Sequence, residues 1–131
     1  MALISSMDVP VLFVEDVARS TAFYRDALGL ELRFADDDSA AFALGNVTLI
    51  VLDERSASDQ VGGPVSVPRA TGPSVQLCAF VDDVDAAHAE LVARGVTILH
   101  PPVDQPWGRR TVFFSDPDGH VWELSQEIAG A

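Results

Sequence analysis

The residues of this chain that could do chemistry gather mostly in its last third. Glu123 lies in the alternating run His120–Ser125, His120 follows the turn Asp116-Pro117-Asp118-Gly119, and Trp107, Arg109 and Arg110 stand just upstream. A carboxylate beside imidazoles could hold a metal ion, and one beside a guanidinium could orient a polar ligand. Cys78 would be a nucleophile only if a base activated it. Simpler duties compete with each of these. His88 falls on a helix, His100 precedes a Pro-Pro pair, and His120 sits in a turn, where polar residues are common. No histidine is placed to activate Cys78, whose default role is a small apolar core residue. The clusters Asp36–Asp38 and Asp82, Asp83, Asp85 are explained by turn and N-cap duties. Glu123 has no evident partner except Arg110, which would keep it ionised, so no acid–base pair with separated pKa values emerges. The sequence also has no P-loop or dinucleotide fingerprint.

Periodicity supplies the elements that must position these residues. Val9–Val14 is a short apolar run fit for a strand. Asp16 offers an N-cap, and Val17, Ser20, Tyr24 and Leu28 follow at helical spacing up to Gly29. Leu30–Phe34, Ala40–Leu44 and Val47–Leu52 read as strands, joined by the polar turn Asp36–Ser39 and the two-residue hairpin Gly45-Asn46. The order then recurs. Ser74–Val81 is a strand, Asp83 an N-cap, and Val84, Ala87 and Leu91 a helical stripe stopped by Gly95; Val96–Leu99, Thr111–Ser115 and His120–Ser125 complete the set. Without gaps, LFVEDVARSTAF (Leu12–Phe23) lies over AFVDDVDAAHAE (Ala79–Glu90), which matches Phe13 with Phe80 and Asp16 with Asp83. The reading is an α+β fold of duplicated βαβββ modules, residues 8–53 and 74–127 of one 131-residue domain. Residues 54–73, rich in Gly, Pro and Ser, are expected to be a linker between the modules.

A hydrophobic fraction of 48% and a mean hydropathy of +0.21 fit a folded domain with a real core. The formal charge of −12 would repel a phosphate backbone, so nucleic acid is excluded as an expected partner. That charge serves solubility, and it would also attract a cationic ligand. No apolar run approaches the roughly 20 residues of a spanning helix. The N-terminus shows no basic region followed by a long apolar one, and a single cysteine permits no internal disulfide. The expectation is a cytoplasmic protein that makes no membrane contact.

Two stretches, VEDVARSTAFYRDALGLEL (Val14–Leu32) and WGRRTVFFSDPDGHVWEL (Trp107–Leu124), resemble the vicinal oxygen chelate superfamily: glyoxalases, bleomycin-resistance proteins and extradiol dioxygenases. The resemblance implies paired βαβββ modules whose strands curl into a half-open cup, with helices outside and ligand inside. Metal-dependent members carry donors at four inward positions, which map here to Val9, Ile50, Gln76 and Glu123. Valine and isoleucine offer no lone pair, and Gln76 is a weak neutral ligand. A catalytic zinc takes about three protein ligands, and an iron facial triad takes two histidines and a carboxylate. Neither set assembles, so no metal, cofactor or catalytic residue is expected.

If Gln76 and Glu123 face the cup, alternation adds Cys78, Phe80, Val121 and Ser125 from the second module and Val9, Val11, Phe13, Thr48, Ile50 and Leu52 from the first. Arg110, Val112 and Phe114 are taken as the inner face of the seventh strand, Phe34 and Phe42 as the rim, and Trp107 as a lid. That lining is apolar and aromatic with a few orienting polar groups, the usual make-up of a small-molecule pocket. Burying roughly 400 Å² of apolar surface at ~25 cal/mol/Å² would give about 10 kcal/mol gross, enough for micromolar affinity after association costs. The function expected is metal-independent sequestration of an aromatic or cationic small molecule such as an antibiotic, as in the bleomycin-resistance branch. Members of that branch are homodimers, so the resemblance implies a homodimer too. Two alternatives are a metal-dependent lyase, isomerase or dioxygenase with divergent ligands, and a module serving as a subunit or regulator.

Overall fold

The computed structural model describes residues 3–4, 6–65 and 75–128. The chain divides into two compact units, Met1–Ser66 and Val67–Ala131. Each carries one four-stranded mixed sheet with helical cover, an α+β arrangement.

In the first unit, β1 (Val11–Val14) leads into α1 (Val17–Ala22), whose last turn widens into a π-helical stretch, Phe23–Ala27. The Asp16 side chain accepts from the Arg19 amide at 3.1 Å, which satisfies a donor the helix start would leave unpaired. Strands β2 (Glu31–Ala35), β3 (Ser39–Leu44) and β4 (Val47–Asp53) follow, in the sheet order β1-β4-β3-β2. Strand β1 pairs parallel with β4, while the β4–β3 and β3–β2 pairs are antiparallel. Leu12, Val14, Ala40, Phe42, Leu49 and Val51 share one face of the sheet and are all buried. Phe42 meets the ring of Tyr24 there at 5.6 Å.

The segment expected as a linker opens with a helix. Glu54–Val61 is a helix, α2, because Asp53 caps it by accepting from the Arg55 and Ser56 amides. Gly62, with φ of 83°, closes the helix in the left-handed region that other residues avoid. Residues 66–73 of the same segment lie outside the described residues.

The second unit repeats the plan with β5 (Gln76–Phe80), α3 (Val84–Ala93), β6 (Thr97–Gln105), β7 (Arg109–Ser115) and β8 (Val121–Glu127), in the sheet order β5-β8-β7-β6. Asp83 caps α3 through the Ala86 amide at 3.1 Å, the counterpart of Asp16 and Arg19. Strand β6 runs on past the expected Leu99, through His100-Pro101-Pro102. It tolerates both prolines because it is an edge strand, and its register with β7 shifts on both sides of His100. Leu77, Ala79, Val112, Phe114, Trp122 and Leu124 face α3, and Phe114 stacks on Trp122 at 6.1 Å. Among the described residues, no helix is long and apolar enough to cross a membrane.

Candidate functional site

Strand register decides which side chains share a face, and a slip of one residue moves a whole strand's set to the other side. In the second unit Cys78 lies opposite Glu123 and Phe80 opposite Ser125 on β5 and β8. Across β8 and β7, Glu123 is opposite Phe113, Ser125 opposite Thr111, and Glu127 opposite Arg109. The face away from α3 therefore carries Gln76, Cys78, Phe80, Arg109, Thr111, Phe113, Glu123 and Ser125.

Gln76, Cys78, Phe80 and Glu123 sit together, as alternation predicts. The assignment of β7 is corrected. Arg110, Val112 and Phe114 point to the α3 side: Val112 and Phe114 are fully buried, and Arg110 bridges Asp85 of α3 at 3.0 Å and Asp104 of β6 at 2.9 Å. Those hydrogen bonds, to Asp85 first and Asp104 second, hold the Arg110 guanidinium above its already high ordinary pKa. Arg110 is therefore not the partner of Glu123. The residues that sequence reasoning missed are Arg109, Thr111 and Phe113. Counting across the turn would have found them, because Ser115 pairs with Val121 and fixes Phe113 opposite Glu123.

In the first unit Val11, Phe13, Thr48, Ile50 and Leu52 share the face opposite Tyr24, as expected, though Leu52 is buried. Phe34 joins them because a bulge between Leu32 and Phe34 turns it toward Ala41, and it stays 55% exposed. Phe42 is corrected from rim to core, since it pairs with Leu49 on the Tyr24 side and has no exposed surface. Trp107 is 65% exposed in the turn between β6 and β7 that leads into Arg109.

The face around Arg109 is prearranged. Its guanidinium lies 4.6 Å over the Phe80 ring and donates to the Ser125 hydroxyl at 3.2 Å, with Glu127 at 3.9 Å. Gln105 donates to the Thr111 hydroxyl at 3.0 Å, so both buried hydroxyls are satisfied. Phe80 keeps 71% of its surface exposed beneath the guanidinium. Gln76 reaches Cys78 Sγ at 3.5 Å. Glu123 is half-buried, and its carboxylate meets no hydrogen-bond or ion-pair partner among the described residues.

The histidines have local duties. His120 Nδ1 lies 2.7 Å from Asp116 Oδ2 in a buried pair, and Asp116 Oδ1 also accepts from the Asp118 and His120 amides, so this pair locks the turn. His100 is exposed and bonds the Pro101 carbonyl, and His88 lies on α3. Among the described residues no three His, Cys, Asp or Glu side chains gather as a metal site. The donor chemistry agrees within each unit. Val11 and Ile50 face each other in the first, where the second has Cys78 and Glu123. The residues present do not fit the metal that many members of this fold use.

The profile described as Glyoxalase/Bleomycin resistance protein/Dioxygenase superfamily matches residues 6–124. The YraH protein of Bacillus subtilis (strain 168) is 30% identical over 117 residues, covering 86% of this chain and 91% of YraH. The metallothiol transferase FosB of Staphylococcus saprophyticus is 25% identical, covering 93% of this chain and 77% of FosB. The crystal structure of a glyoxalase/bleomycin resistance protein/dioxygenase from Nocardioides superposes with a TM-score of 0.86 at 26% identity, covering 99% of this chain and 89% of the other. A duplicated βαβββ plan matched along nearly its whole length places this chain in the glyoxalase/bleomycin resistance protein/dioxygenase superfamily.

Proposed function

We propose that this protein binds an aromatic small molecule without a metal, on the face of its second sheet that carries Phe80, Arg109 and Glu123, and acts by sequestering it. The observation that carries this reading is Phe80, largely exposed and capped by a guanidinium instead of being packed into a core. A flat ring can stack on the free side of that guanidinium and cover apolar surface at the same time. Phe113, Cys78 and Gln76 extend the surface, and Trp107 stands at its Arg109 end. In the first unit Val11, Phe13, Ile50 and Phe34 form a second apolar face. An antibiotic is the ligand class in view, and a homodimer the assembly.

A second reading is a metal-dependent group-transfer enzyme, favoured by the similarity to FosB, a metallothiol transferase by name. The donor set speaks against it, since Ile50 stands where Glu123 stands in the other module.

A thermal-shift screen of the chelator-treated protein against natural-product antibiotics tests the proposal. Planar aromatic compounds are expected to raise the melting temperature and to quench Trp107. The quench should vanish in Trp107→Phe and persist in Trp122→Phe, because Trp122 is buried on the α3 side. Stabilisation only after a metal is added would support the enzyme reading instead.

A further inference from the structure

The strand register gives the ligand a second requirement, one that rests on the binding proposed above. Glu123 is a half-buried residue whose carboxylate no hydrogen bond or ion pair engages among the described residues. A carboxylate with no donor of its own is free to accept one from a ligand. The nearest guanidinium on this face is already engaged, because Arg109 is stacked on Phe80, bonded to Ser125 and close to Glu127. The opposing side chains, Cys78 and Phe113, provide no strong donor, and the Gln76 amide is directed at Cys78.

Phe80 pairs with Ser125, two residues along β8 from Glu123, so Phe80 and Glu123 sit diagonally on neighbouring strands, their backbones about 8 Å apart from the rise and the strand spacing. A guanidinium face attracts an electron-rich ring and repels a cationic one. The geometry points to a ligand with an electron-rich ring on the Arg109–Phe80 stack and a protonated nitrogen about 8 Å away at Glu123. In that class, the arylalkylamines, Glu123 sets specificity as a counter-charge where metal-using relatives would need a ligand.

Three indole probes with one ring and different tails test this: tryptamine, N-acetyltryptamine and indole-3-propionate. Affinities come from amide chemical-shift titrations in physiological salt. Tryptamine is expected to bind at least about tenfold tighter than indole-3-propionate, with N-acetyltryptamine between them, the size of one charge-assisted hydrogen bond. Glu123→Gln should erase the ranking while keeping the wild-type melting temperature. The exposed Asp59 on α2 controls for overall charge, so Asp59→Asn should leave the ranking intact. Equal binding of all three probes to the wild type, or equal loss in Asp59→Asn, overturns the inference and leaves the aromatic site standing. No binding by any probe overturns both.

Discussion

The guanidinium of Arg109 lies 4.6 Å above the ring of Phe80, and this stack occupies the sheet face away from α3. Its sequence neighbour Arg110 points the other way, into Asp85 and Asp104. Adjacent residues on one strand thus do different work, and their variants separate it. Arg109→Ala is expected to weaken a planar aromatic ligand by about tenfold, the range of a partly desolvated cation–π contact. Arg110→Ala should leave affinity within twofold and lower the melting temperature, because it unties α3 and β6 from β7. Paired calorimetric titrations and melts check both.

Burial separates the phenylalanines in the same manner. Phe42 and Phe114 are fully buried, and truncating either to alanine should cost about 3–5 kcal/mol of stability. Phe80, 71% exposed, should cost far less when replaced by alanine, yet lose most of the aromatic affinity. Chemical denaturation of the three variants, with a binding assay on Phe80→Ala, checks this division.

The Asp116–His120 pair supports the turn that sets the β7–β8 register. Asp116 accepts two backbone amides and the His120 ring, all buried. Asp116→Ala leaves those donors unpaired and should cost about 2–4 kcal/mol. Urea denaturation measures the loss, and hydrogen exchange should show it concentrated in β7 and β8.

One carboxylate gives a pH signature. Backbone hydrogen bonds from Asp38 and then Ser39 hold the exposed Asp36 carboxyl below the ordinary aspartate range. The folded value is the lower one, so this turn's contribution is complete above the unfolded value of about 3.9 and fades as pH falls through the folded value. A carbon-detected NMR titration should place the Asp36 midpoint below the ordinary aspartate value of about 3.9.

Much of the fold was legible because its signals are local. Asp16 and Asp83 announce two helix starts 67 positions apart with the same capping geometry, and Gly45-Asn46 announces a hairpin. Strand faces were legible only where one side is plainly polar. On β7 both sides are apolar or aromatic, Thr111 and Phe113 against Val112 and Phe114, so alternation could not choose between them. The span of the Asp116–His120 turn makes the choice, since Ser115 opposite Val121 puts Phe113 opposite Glu123, and only a count across that turn reads it. Phe34 reaches the expected face, but by a bulge that leaves no composition mark, and α2 was hidden because Ser, Asp and Gln in Glu54–Val61 resemble loop residues.

Metal-free capture of an aromatic guest by Phe80, Arg109 and Glu123 is what is proposed. It is tested most directly by the affinity of chelator-stripped protein for the best compound from the antibiotic screen, measured before and after adding Zn, Mn, Ni or Fe. An affinity unchanged within twofold, with no metal bound stoichiometrically, is the predicted result. Binding that disappears on stripping and returns with one metal, lost again in Glu123→Gln, would contradict it.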